Sequence, residues 1–148
     1  MKRFGESVRG NIKYVPRPGV YAILPINGHL LLTHQMAPVS EFQLPGGGID
    51  PGENPIAALH REVMEETGWK IARPRRLGAF RRFVFMPEYD LWAEKVCTVF
   101  LAHPVMRLSD PTEKGHSDHL IPLAFANALI VNPGDSSFVS RFMQKMVN

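Results

Sequence analysis

The sequence predicts an α/β domain in which helices cover the faces of a mixed β-sheet. Three observations carry that reading: a strand pair closed by Asn27-Gly28, a mid-chain helix with signals at both ends, and two longer strand-like runs followed by helical stretches. Strands on either side of a central helix, with helices at the end, bury their apolar faces best in stacked layers.

VYAILPI (20–26) and HLLLTHQ (29–35) read as a hairpin, because Asn-Gly accepts the positive φ values that a tight turn demands. MAPVSEFQLPGGG then reads as a loop ending in three glycines. A helix is predicted from near Asn54 to near Thr67. Asn54 suits the N-cap, Pro55 the first helical position and Gly68 the C-terminal stop. RRLGAFRRFVF (75–85) and AEKVCTVFLAHPV (93–105) read as strands linked by MPEYDLW. Arg107 to His119 reads as a polar loop. LAFANALIV (123–131) and SSFVSRFMQKMV (136–147) read as helices separated by the Pro133-Gly134 break. No repeat or linker divides the chain, so residues 1–148 are read as one domain.

Composition narrows the function classes. The chain is 45% hydrophobic and 21% charged, ordinary values for a globular protein. A formal charge of +3 suits a small anionic ligand and falls short of the basic stripe of a dedicated nucleic-acid binder. The lone Cys97 excludes an intrachain disulfide and sits in the apolar run VCTVFLA as a small buried hydrophobe. MKRFGESVRG lacks an apolar targeting core, and no run approaches the roughly 20 apolar residues of a membrane span. The expectation is a cytoplasmic protein without membrane contact.

The mid-chain helix carries the chemistry. Ile56, Leu59 and Val63 recur at helical spacing and are expected to pack on the sheet. Glu62, Glu65 and Glu66 share a neighbouring face, with Ala58 one turn before Glu62 leaving room beneath them. Like charges this close repel, and carboxylates in a last turn oppose the helix dipole. No lysine neutralises them before Lys70. Clustered carboxylates under this strain are what a hard cation such as Mg²⁺ or Mn²⁺ requires. Gly46, Gly47 and Gly48 let the backbone approach the helix closely, so a carbonyl can complete the coordination. Such an ion, with open water positions, is equipped for phosphate chemistry.

Gly47, Glu53 and the run Arg61-Glu62-Val63-Met64-Glu65-Glu66-Thr67-Gly68-Trp69 resemble the Nudix box of the Nudix (MutT-like) hydrolases. Trp69 departs mildly from the pattern, which usually carries an aliphatic residue there. The resemblance implies the Nudix fold, an α/β/α sandwich with a mixed β-sheet. It also implies hydrolysis of a nucleoside diphosphate linked to another moiety, by water attack on phosphorus with Mg²⁺ or Mn²⁺. Carried onto this chain, Glu62, Glu65 and Glu66 are the metal-facing carboxylates and the Gly46 carbonyl is a further ligand. Arg61 orients Glu65 or its neighbour, and Glu53 supports the loop or holds a metal through water. Between base and ligand, Glu62 is assigned as ligand.

Relatives supply a further acid from a loop after the box. TEKGHSDH offers Glu113 and Asp118, of which Glu113 is favoured; Glu88, Asp90 and Glu94 are rivals. His116 and His119, with one distant cysteine, do not make a zinc site of the usual kind. Substrate contacts are sought in His34, Arg81 and Tyr89, from a wider set of arginines and aromatics. The partner expected is a nucleotide-type small molecule, and family habit adds the expectation of a homodimer. Two alternatives stand beside the hydrolase: a nucleotide-binding sensor without catalysis, and a pyrophosphohydrolase of 5′ RNA ends.

Overall fold

The computed structural model describes residues 1–147, so Asn148 of the expected domain lies outside the described residues. The elements in order are β1 (Lys2–Gly5), β2 (Val15–Ile23), β3 (Pro25–Ile26), β4 (His29–Gln35), β5 (Glu41–Gln43), β6 (Gly46–Gly48), α1 (Pro55–Thr67), β7 (Trp69–Met86), β8 (Leu91–Arg107), β9 (His116–Pro122), α2 (Leu123–Leu129) and α3 (Pro133–Val147). A 3₁₀ turn, Pro87–Tyr89, closes the β7–β8 hairpin.

Five strands form a mixed sheet in the order β1-β7-β8-β2-β6, with β1–β7 and β8–β2 parallel and the other pairs antiparallel. A second, antiparallel sheet joins β3, β5 and β9 to β4. Alternation along β2 decides the layering. Val20 and Ala22 face one way, against Ala58, Leu59 and Val63 of α1. Ile23 faces the other way, with Phe80, Cys97 and Val99, against Phe138 and Val139 of α3 and Ala126 of α2. Helices therefore lie on both faces of the mixed sheet, the α/β/α arrangement expected. Cys97 is buried in this core, as expected from its apolar run.

The helix α1 matches its sequence signals closely. Asn54 Oδ1 accepts from the N–H groups of Ile56 at 2.8 Å and Ala57 at 3.3 Å, satisfying two donors that a helix start leaves open. Gly68 closes the helix in the left-handed region at φ 76° and donates to the Met64 carbonyl. One packing expectation is corrected. Ile56 is 37% exposed, because the buried stripe runs through Ala58, Leu59 and Val63 and drifts to Glu66 and Thr67 instead.

Four further corrections concern boundaries. The loop expected at 36–48 contains β5 and β6, the second built from three glycines. The polar loop expected through His119 ends at His116, where β9 joins the β4 edge. The Pro133-Gly134 break is the first turn of α3: Asn132 Oδ1 accepts from Gly134 and Asp135 N–H, so proline occupies a position that needs no donor. The long hairpin also exceeds its expected limits at both ends. Among the described residues no helix is long and apolar enough to cross a membrane.

Candidate active site

The site is assembled where the last turns of α1 meet β6, β4 and the segment 107–116. A helix end leaves its final carbonyls without intrahelical partners, and here carbonyls at this end meet groups from outside. Glu65 O accepts from Thr112 N at 2.9 Å and from Glu113 N at 2.8 Å. Gly68 O accepts from Leu108 N at 2.8 Å. The Thr33 hydroxyl lies within 3.4 Å of Glu66 O. These bonds tether the loop, and with it Glu113, beside the carboxylates of α1.

Arg61 organises one side of the cluster. Its Nε and Nη2 grip Glu53 at 2.7 and 2.8 Å. Its Nη1 reaches Glu62 at 3.0 Å and Glu65 at 3.2 Å, and Nη2 also donates to the Gly48 carbonyl at 3.1 Å. One guanidinium thus ties the glycine turn, the pre-helix loop and two carboxylates together. Glu53 in turn accepts from Asp50 N at 3.0 Å. That planar fork is a geometry lysine cannot reproduce. The hydrogen bonds from Arg61, with that from Asp50 N–H, hold the Glu53 carboxyl at about 2, below its ordinary 4.5.

Glu62 and Glu66 answer to burial. Desolvation pushes the Glu62 carboxyl up, against the pull of Arg61, with Glu65 and Glu113 adding repulsion. Glu66 is 7% exposed. Burial raises it well above the ordinary carboxylate range, opposed by the Gly46 N–H, which donates to Oε1 at 2.9 Å. Glu62 and Glu113 add to that rise, so both lie within the same electrostatic field.

The donor set suits a hard divalent cation. All candidates are oxygens, and Gly47 is bare where a Cβ would collide with the Glu62 carboxylate. Among the described residues no three acidic, histidine or cysteine side chains close into a cation cage. Here Arg61 holds Glu62 and Glu65, and Glu66 is turned to Gly46 and His116.

The remaining expected residues divide. Gly46 pairs with Tyr21 and meets Glu66 through its N–H. Asp118 is held by Arg107 at 2.8 and 3.0 Å and by the Trp69 indole at 3.2 Å. Glu94 pairs with Arg81 at 3.7 Å, while Glu88 lies in the hairpin turn and Asp90 immediately follows it. Of the loop acids, Glu113 is the one coupled to Glu62 and Glu66. Tyr89 stacks under Arg17, 4.6 Å from guanidinium carbon to ring centre. His34 packs edge-on against Phe42 and meets Ser40 Oγ at 3.1 Å. The structure therefore does not gather His34, Arg81 and Tyr89 into one contact group.

Two residues at the site were missed: Thr33 and, outside a zinc role, His116. Thr33 Oγ1 lies 2.8 Å from His116 Nδ1, and His116 Nε2 lies 3.6 Å from Glu66 Oε2. The alternation in HSDHLIP was the available signal, since it marks a strand that brings every second side chain to one face.

Comparison with known proteins bears on the fold and the family. A Bacillus subtilis (strain 168) protein named for a proposed 8-oxo-dGTP diphosphatase activity is 34% identical over 74 residues, 50% of this chain and 50% of its own. A Helicobacter pylori (strain G27) RNA pyrophosphohydrolase is 40% identical over 57 residues, 35% of this chain and 37% of its own. The chain thus spans about half or less of the length of these relatives. Among solved structures, a Nudix hydrolase from Nitrosomonas europaea superposes with a TM-score of 0.73 at 19% identity, covering 88% of this chain and 90% of that one. A MutT protein from Methanosarcina mazei Go1 gives 0.71 at 21% identity, covering 93% and 100%. At such identities these two structures speak for the fold. The NUDIX domain profile matches residues 15–142, most of the chain, and the chain belongs to the NUDIX domain family.

Proposed function

We propose that this protein is a divalent-metal-dependent pyrophosphohydrolase that cleaves a nucleoside diphosphate linked to another moiety. The observation that carries the reading is the placement of three carboxylates of one helix beside the bare backbone of β6, Glu62 and Glu65 held by one arginine and Glu66 bonded to Gly46. Names among the relatives, a diphosphatase and an RNA pyrophosphohydrolase, support the same bond type.

Glu62, Glu65 and Glu66 would hold the cation, with the Gly46 carbonyl as a further ligand. Mg²⁺ or Mn²⁺ bound there supplies neutralisation of phosphoryl charge and a more acidic water. Glu113, tethered to the Glu65 carbonyl and without a side-chain ion pair among the described residues, serves as general base. Arg61 keeps Glu62 and Glu65 aligned and Glu53 fixes Arg61. The retention of all three glutamates argues against a binding-only sensor. Action on 5′ RNA ends is the second reading, favoured by the matched RNA pyrophosphohydrolases.

A product-release screen with Mg²⁺ and with Mn²⁺ tests the proposal. It would cover nucleoside triphosphates, oxidised nucleotides, dinucleoside polyphosphates, ADP-ribose, nucleotide sugars and a 5′-triphosphorylated RNA. One substrate turned over by the wild type and spared by a folded Glu65→Gln variant supports it. Metal uptake without turnover of any substrate moves the weight to the sensor.

A further inference from the structure

Beneath the carboxylates lies a buried polar chain that the chemistry above leaves unused. In the β4–β9 ladder Thr33 pairs with Asp118 and Gln35 with His116, so Thr33 and His116 are diagonal neighbours on one face. Thr33 is fully buried. The His116 and Glu66 side chains are 11% and 9% exposed. The backbone fixes the imidazole's place: His116 N donates to Glu113 O at 3.2 Å, and Gly115 before it takes φ 81°. The same turn that presents Glu113 therefore also presents His116.

With Glu66 ionised, as it is when it holds a cation, the proton on this ring has one favourable position. Thr33 has a single hydroxyl hydrogen and two candidate acceptors, His116 Nδ1 at 2.8 Å and the Glu66 carbonyl at 3.4 Å. The shorter contact is the stronger bond. With Thr33 donating to Nδ1, a neutral imidazole carries its proton on Nε2, the nitrogen facing Glu66 Oε2. The opposite tautomer would aim an Nε2 lone pair at carboxylate lone pairs in a dry environment, where repulsion is poorly screened. The other Glu66 oxygen already receives the Gly46 N–H. One carboxylate oxygen thus receives an N–H, and the other stands 3.6 Å from the imidazole, within reach of a hydrogen bond after a small shift.

We propose that His116, held by Thr33 with its proton on Nε2, is a positioning residue that, together with the Gly46 N–H, fixes the orientation in which Glu66 binds a divalent cation. The inference rests on the reading of α1 as the metal-binding helix. In this role His116 is a partner of a ligand and not itself a ligand. Carboxylates that hold metals are themselves held by outer hydrogen bonds, and losing such a partner weakens binding about ten- to a hundredfold.

The test uses the full chain with two readouts: Mn²⁺ uptake followed by electron paramagnetic resonance, and imidazole ¹⁵N resonances of the protein loaded with diamagnetic Mg²⁺. The wild type should show the Nε2–H tautomer at His116. His116→Ala should bind Mn²⁺ about ten- to a hundredfold more weakly, while His116→Gln, whose amide can still donate to Glu66, should recover most of that loss. Thr33→Val should weaken the tautomer preference and reduce Mn²⁺ affinity by a smaller factor. An Nδ1–H tautomer in the wild type overturns the proposal. So does a folded His116→Ala with wild-type affinity; should that variant not fold, unchanged tautomer and affinity in Thr33→Val do the same. If Glu65→Gln loses Mn²⁺ while His116→Ala keeps it, this inference alone fails. A wild type that takes up no Mn²⁺ removes the metal reading and this inference with it.

Discussion

Arg61 and Glu53 meet as a two-pronged ion pair, Nε 2.7 Å from Oε2 and Nη2 2.8 Å from Oε1. The pair joins the loop before α1 to the face that carries Glu62 and Glu65. Because Arg61 holds the Glu53 carboxyl at about 2, below its ordinary 4.5, the folded protein binds fewer protons there than the unfolded chain. The stabilisation is present above about pH 4.5 and is lost as pH falls through about 2. Melting temperatures followed across that range should therefore drop more steeply for wild type than for Glu53→Gln. Parallel curves would refute the assignment.

Arg61→Lys keeps the charge and loses the fork. Glu53, Glu62, Glu65 and the Gly48 carbonyl cannot all be gripped by one ammonium. The expected result is a fall in kcat of about ten- to a hundredfold with secondary structure intact. Circular dichroism beside steady-state kinetics checks both halves of that statement.

Metal should stabilise the fold by mass action. At a hundred times the dissociation constant the gain is about 2.7 kcal/mol, which for a chain of this size raises Tm by roughly 5–10 °C. A Mn²⁺ titration by scanning calorimetry should show this rise in wild type and little of it in Glu65→Gln. A flat wild-type curve would count against a preformed site.

Asp135 gives the opposite pH dependence to Glu53. It is 3% exposed in the first turn of α3. Burial pushes its carboxyl from 3.8 to about 7, against a hydrogen bond from the Leu44 backbone and the charges of Lys95 and Arg82. The folded state thus retains a proton that the unfolded chain gives up above about pH 4. Stability from this group is complete below that pH and disappears as pH rises through about 7. Asp135→Asn should flatten the decline by at most about 4 kcal/mol, read from urea unfolding at several pH values. An unaltered slope would show that another group sets it.

Gly68 is doubly constrained. Its φ of 76° disfavours any side chain, and a Cβ there would collide with the Ser109 carbonyl. Gly68→Ala should cost about 2–4 kcal/mol and loosen the segment that presents Glu113. Amide exchange at Leu108, whose N–H is bonded to Gly68 O, should quicken in parallel.

Local chemistry was legible in the sequence and pairing at a distance was not. Asn54, Pro55 and Gly68 bound α1 because capping acts within a few residues. The three glutamates and Arg61 were legible as a group because helical spacing places them together. The strand β6 escaped because Gly46–Gly48 has no side chains to alternate, and only Tyr21, Val20 and Gly19 across the ladder make it a strand. His116 and Thr33 escaped for a related reason: 83 positions separate them, and polar alternation in HSDH resembles a loop until β4 lies beside it. Ile56 misled because periodicity gives the width of an apolar stripe and not where the sheet beneath it ends.

Both borders of the mixed sheet are short. At one lies β6, three residues of glycine; at the other lies β1, four residues beginning Lys2-Arg3. An open strand border invites a further strand from another molecule, and brevity and positive charge both discourage it. The glycine border that leaves room for Glu62 is also too short to template a long ladder. Lengthening β6 with residues such as valine or isoleucine would both crowd the carboxylates and create an adhesive rim, so the shortness of this strand discourages edge-to-edge strand addition as well as leaving the site open.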